Sequence, residues 1–401
     1  MKKGPLILLF LTLLFGASCK DPIFYDISRE VKPREPRIKG VPTKFAVYDD
    51  FMYVAAASLH RYGLYRGAAG WDHGEWTAPL GRVTDLAATS GYLYALVDYN
   101  SPSVWRWKTG MTEWERLGGY DGSPQSIYGE TDAEGKPVKD GKVFVGTRTK
   151  GPEEEGIDYL IYYADEGASP ESVFKPLPLG GNTGHLSGAA FDGAWHFIST
   201  RGRGVYAWDG VNAPVQLANR DNPDDKNRNL AGLIRTGTGA AKVFAFGRNT
   251  EILELSPTGF TEKKGASSYY LTGALALWRD PVNPGTEGKI LLGIKDGSNY
   301  AYQEVRFYLS EGDLVLNNSG GIDIFPPGDN PPSSLKPDSA PFDTTIRPHP
   351  VNSILQVPPS VDPAMVIFAA VQGTGSTTND IDSGVWSYRS RDGTWQWNAE
   401  E

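Results

Sequence analysis

The sequence predicts an all-β protein, a β-propeller of seven four-stranded blades, or of six or eight should one strand be missed or doubled. Three observations predict it. One phrase recurs about seven times: an apolar run, a short polar gap, a second apolar run and a tight turn. Its period is roughly 40–50 residues, all in strand vocabulary, which is the signature of blades stacked around an axis. Asp209-Gly210, Thr258-Gly259, Gly312-Asp313 and Asp392-Gly393 supply hairpin chemistry between third and fourth strands.

The blades follow in order. Blade 1 is read over 45–80, with strands at 45–48, 52–57, 63–66 and 75–77, and blade 2 over 83–117, at 84–89, 93–97, 104–107 and 113–117. Blade 3 spans 125–179 and carries two insertions, 131–140 and the acidic Pro152-Glu153-Glu154-Glu155. Blade 4, at 186–217, has the cleanest phrases: Leu186 to Phe191, Trp195 to Thr200, Gly204 to Trp208 and Pro214 to Leu217. Blade 5 spans 229–262, and blade 6 spans 271–316 with Asp313 to Leu316 as its outer strand. Blade 7 spans 351–398, so all four of its strands come from the C-terminus. Closure then rests on blade 1 packing against blade 7, with a strand from the N-terminal segment as a further possibility through Ile23-Phe24-Tyr25.

The ends bear on location. Lys2 and Lys3 precede an apolar stretch from Leu6 to Phe15, and Gly16-Ala17-Ser18-Cys19 follows. That stretch is too short to span a bilayer, which takes about twenty apolar residues, and reads as an export signal over 1–18. Residues 19–43, with Pro22, Pro33, Pro36 and Pro42, read as a semi-extended tether. The propeller is assigned to 44–398. Cys19 is the sole cysteine, so an internal disulfide is excluded and stability comes from packing.

Two resemblances follow from these residues. Gly16-Ala17-Ser18-Cys19 resembles a bacterial lipobox, with Gly16 where that family carries Leu; this implies lipid on Cys19 and a lipid-anchored place in the cell envelope. The blades resemble the broad superfamily of WD40-, kelch- and NHL-type propellers, and more narrowly propeller-type bacterial lipoproteins. Neither Gly-His…Trp-Asp pairs nor double-glycine strands single out a subfamily. Ser390-Arg-Asp-Gly-Thr-Trp395 is similar to a shortened Asp-box and occurs once.

Aligned second strands expose the candidate site. The residue closing the apolar run is Arg148, Arg201, Arg248 and Lys295 in blades 3 to 6, and Asp98 and Gln372 in blades 2 and 7. In a propeller these positions share one face, so four adjacent blades present a cation around one rim, joined by Arg203 and His185. Guanidinium groups suit carboxylates, sulfates and phosphates because their fork geometry gives bidentate hydrogen bonds. The competing reading is that a strand end simply takes a polar residue. A Pro-rich stretch, 317–350, joins blades 6 and 7 and is longer than an ordinary connection.

Composition narrows the function. A formal net charge of −9 argues against nucleic acid as a partner. The five histidines lack metal-ligand spacing, and no G-x-S-x-G elbow or Walker-type loop occurs. No metal and no cofactor are expected. The sequence is read as a membrane-anchored, non-enzymatic binding or assembly scaffold. Its partners are the membrane, through the lipid on Cys19, and a protein or an anionic or glycan ligand on one propeller face. The alternative is a carbohydrate-active propeller enzyme, to which Asp98 or Glu130 would contribute a carboxylate.

Overall fold

Each repeat folds into an antiparallel sheet with its strands in chain order, as the computed structural model describes for residues 38, 40–63, 70–71, 78–132, 135–150, 157–179, 182–217, 229–237, 241–264, 270–279, 285–294, 302–324, 350–356, 366–372, 384–389 and 394–397. There are seven such sheets, six of four strands and one of three. The inner strands are Lys44–Tyr48, Arg82–Ala88, Ser123–Gly129, His185–Phe191, Leu230–Thr236, Leu271–Trp278 and Val351–Gln356.

The strands carry near-continuous apolar runs because each sheet is covered on both sides. In the second strand of blade 4, His196–Arg201, Ile198 packs towards blade 3 while Phe197 packs towards blade 5. The buried side chains divide into seven clusters, and each fills one seam between neighbouring blades. The core is thus a ring of seven equivalent interfaces, which lets a chain of this length stay well packed.

Among the described residues the last seam closes without strand exchange: blade 7 takes its four strands from Val351–Gln356, Val366–Val371, Gly384–Arg389 and Thr394–Trp397, and Ile23-Phe24-Tyr25 lies outside the described residues. Phe368 is fully buried there and meets Tyr62 at 5.0 Å and Phe45 at 6.3 Å between ring centroids, both edge-on. Ile38 is buried in the same cluster. The Phe45 amide donates to Ser353 Oγ at 3.2 Å, and Asn352 Nδ2 donates to the Pro42 carbonyl at 3.2 Å.

Six of the seven inner strands carry a register shift against their second strands, in blades 2 to 7. Such bulges bend a strand and re-aim its backbone groups. Here they lie beside hydrogen bonds that stitch blade to blade. Thr43 Oγ1 donates to the Thr84 carbonyl at 2.8 Å, Ser126 Oγ to Leu186 at 3.1 Å and Thr272 Oγ1 to Val351 at 2.6 Å.

Three elements depart from the sequence reading. The outer strand of blade 1 is Gly70–Trp71, pairing with Tyr62 and Gly63, ahead of the expected 75–77, which lie outside the described residues. The third strand of blade 1 is Leu59–Gly63, ahead of the expected 63–66, because the chain reverses at once over Ala56–Ser58. His60 and Arg61 are tolerated in that strand, Arg61 by lying over the Phe51 ring at 4.7 Å. Blade 6 has no regular outer strand at 313–316: Leu314 makes a single bridge to Phe307 before Asn317 turns the chain away. The Asn317 side-chain oxygen accepts the amides of Ser319 and Gly321, and that turn fixes the departure.

Candidate functional site

In every blade the inner strand begins, and the second strand ends, at the same face of the disc. Three glycines bring these ends together. Gly81, Gly122 and Gly184 immediately precede the inner strands of blades 2, 3 and 4, and each has positive φ. A Cβ at these glycines would stand 3.2 Å from the Asp98 carbonyl, 2.6 Å from that of Arg148 and 2.7 Å from that of Arg201, respectively. Asp98, Arg148 and Arg201 are therefore structurally equivalent, each lying against the chain that enters its own blade.

Backbone hydrogen bonds then run sideways through the rim. Arg148 pairs with Tyr159, whose amide donates to Asn182 Oδ1 at 3.3 Å and whose carbonyl accepts the Thr183 amide at 2.8 Å. Two residues on, His185 pairs with Arg201. Arg201 bridges to Asn229, the Asn229 carbonyl accepts the Arg248 amide at 2.8 Å, and the Arg248 carbonyl accepts the Leu271 amide at 2.8 Å. At a strand spacing of about 4.8 Å, the backbones of Arg201 and Arg248 stand about 10 Å apart.

Arg148 is exposed, and Arg201, Arg203 and Arg248 are half-buried. None of these four guanidinium groups has an ion-pair partner among the described residues, and Nε of Arg201 and of Arg248 is buried without a hydrogen-bond partner. His185 joins them: its Nδ1 is likewise buried and unpartnered, and its ring meets Tyr159 edge-on at 5.6 Å. Burial, reinforced by the charge of Arg201, holds the His185 imidazole below its usual value, so it is neutral at neutral pH. Asp98, Asp121 and Asp158 stand at the same face without pairing these arginines, and the buried Glu251 carboxylate lies against Gly247. The structure thus gathers Arg148, Arg201, Arg203 and Arg248 on one arc. Lys295 and Cys19 lie outside the described residues, as do 325–349 of the Pro-rich stretch.

A central cavity of about 480 Å³ runs between the inner strands, and none of the arginines predicted as site residues lines it. Near the cavity wall Lys44 crosses from blade 1 to blade 3. Its Nζ pairs with Asp85 at 2.9 Å, donates to the Ile127 carbonyl at 2.6 Å and sits 3.6 Å above the Tyr128 ring. Asp85 in turn accepts the Ile127 amide at 2.8 Å. Sequence reasoning missed this cluster, because its members lie on three inner strands whose alignment depends on the bulges.

The carboxylates considered for glycosidase chemistry do not meet. Asp98 is exposed on the arginine face, whereas Glu130 follows the far end of its inner strand and is buried between blades 3 and 4. Both Glu130 carboxylate oxygens lie 2.9 Å from His196 Nδ1, and Oε2 also accepts the Lys142 amide at 2.7 Å. Among the described residues no three His, Cys, Asp or Glu side chains group to hold a metal.

No protein-family profile and no curated protein sequence matches the chain. Solved structures do resemble it in three dimensions. A chain of a mitotic checkpoint complex aligns at TM-score 0.50 with 10% identity, over 83% of this chain and 87% of that one. The WD40 β-propeller domain of Doa1 aligns at 0.48 with 9% identity, over 83% and 90%. A structure of YCF48 bound to D1 peptide aligns at 0.43 with 12% identity, over 84% and 90%. At such identities the likeness concerns the fold alone, and the chain is a seven-bladed β-propeller.

Proposed function

We propose that this protein is a cell-envelope lipoprotein, held at the membrane through lipid on Cys19, whose propeller is a non-enzymatic platform for anionic partners. One observation carries the binding reading: Arg148, Arg201, Arg203 and Arg248 line adjacent blades on one face with no ion-pair partner among the described residues. Burying guanidinium Nε atoms without partners is costly, and an oxyanion supplies the missing acceptors in the geometry arginine favours. The anchoring reading rests on the resemblance of Gly16-Ala17-Ser18-Cys19 to a lipobox, followed by a tether that lifts the domain off the lipid surface.

The test uses the full chain extracted in mild detergent, with dextran sulfate and uncharged dextran as probes. Charge-assisted hydrogen bonds are worth about 1.5–3 kcal/mol each, so Arg201→Ala with Arg248→Ala weakens dextran sulfate binding by at least about 10-fold. Uncharged dextran does not bind. Equal affinity of the double variant and the wild type for dextran sulfate would sink the reading.

A further inference from the structure

Resting on that anionic reading, we infer that the partner is a polypeptide: an extended acidic segment flanked by apolar or aromatic side chains. Six large apolar side chains are conspicuously exposed among the described residues, and their placement is uneven. Leu80 is 76% exposed, Tyr99 58% and Tyr270 49%. All three stand on the arginine face. Leu80 and Gly81 lead into the inner strand of blade 2, and a Cβ on Gly81 would lie 2.8 Å from Cβ of Tyr99, which places Leu80 and Tyr99 side by side. Tyr270 precedes Leu271, whose amide donates to the Arg248 carbonyl, so this tyrosine abuts the last described arginine of the arc. Val211 and Val215 belong to the hairpin at the opposite face, and Leu316 to the outer edge of blade 6.

Taken over its apolar and cationic side chains, the face reads apolar, cationic, apolar, with Asp98, Asp121 and Asp158 set among them on blades 2 and 3. Leu80 and Tyr99 lie on blade 2, the arginines on blades 3 to 5, and Tyr270 at the entry to blade 6. Exposed tyrosines offer contact area at low entropic cost, while the arginines neutralise carboxylates. A sulfated or uronic polysaccharide satisfies the arginines and gains little from Leu80. An acidic segment with apolar flanks satisfies both. Blade-to-blade steps of about 10 Å make the arc about 40 Å long, which an extended chain covers in about 12 residues.

The experiment is a display selection of random 14-residue peptides against the full chain in detergent micelles, with dextran sulfate binding measured in parallel. Enriched peptides are expected to carry at least two carboxylates with Leu, Phe, Tyr or Trp beside them. Synthesised representatives should bind Leu80→Ser/Tyr99→Ser at least about 10-fold more weakly, with dextran sulfate affinity unchanged. Arg148→Gln should weaken both probes. Both variants alter exposed side chains, and an unchanged melting temperature confirms folding. Enriched peptides lacking carboxylates, or binding indifferent to Leu80 and Tyr99, would overturn the inference while leaving the anionic platform standing. Dextran sulfate binding with no enriched peptide assigns the face to a polyanionic glycan instead. Loss of arginine-dependent dextran sulfate binding removes the platform itself.

Discussion

Replacing His196 with alanine should be among the most damaging single changes in this fold. Glu130 is 1% exposed, and its carboxylate is held by His196 Nδ1 at 2.9 Å and by the Lys142 amide at 2.7 Å. The imidazole also stacks on Phe191 at 4.6 Å and meets Trp208 at 5.3 Å. Removing it leaves a carboxylate buried beside a cavity, which costs about 3–5 kcal/mol. For a chain of this size that lowers the melting temperature by about 4–7 °C. Replacing both partners, as Glu130→Leu/His196→Leu, should cost much less than the two single changes summed, because no group is left unpaired. Urea unfolding of the four proteins gives the coupling energy directly. Burial pushes the Glu130 carboxyl up, against the opposing pull of His196 and Lys142. A carboxyl raised in the folded state contributes stability that is present at low pH and lost as pH rises through its folded value. Wild type should therefore gain stability relative to Glu130→Gln as the pH falls towards the ordinary carboxyl range. Strictly additive single changes, or a difference that shrinks as the pH falls, would refute the argument.

Other perturbations probe closure, the rim and the anchor. Phe368→Ala empties the seam between blades 7 and 1 and should cost about 3–5 kcal/mol, with faster hydrogen exchange confined first to Lys44–Tyr48 and Val351–Gln356. Gly184→Ala forces a side chain onto a φ of +76° and to within 2.7 Å of the Arg201 carbonyl. It should cost about 1–3 kcal/mol and weaken dextran sulfate binding, read by thermal melting and by titration. Cys19→Ser should abolish incorporation of labelled palmitate and move the protein into the soluble fraction.

The seven blades were legible because both sides of each sheet are buried, so the second strands appear as runs such as Lys142-Val-Phe-Val-Gly and Lys242-Val-Phe-Ala-Phe. Equivalence of Arg148 and Arg201 was legible for the same reason: each closes such a run. What binds the blades together was not. Bulges at Thr84, Ser187 and Asn352 leave no mark in the alternation, since a small polar residue there resembles a strand end. The third strand of blade 1 was displaced because Ala56-Ala57-Ser58 lacks the glycine or proline that announces a turn. Period-two patterning assigns a side chain to a face and never to a partner. Glu130 and His196, 66 residues apart in sequence, and the Lys44–Asp85–Tyr128 cluster therefore emerged only from the folded structure.

The central claim is that anions are held on one face of the disc, the face where second strands end. Hydrogen exchange of the full chain in micelles, with and without saturating dextran sulfate, tests it directly. Exchange is expected to slow at 201–204 and 247–250 and to stay unchanged in the turns at 209–212 and 256–259 on the opposite face. Slowed exchange at the opposite turns, or none at 201–204 and 247–250, would contradict it.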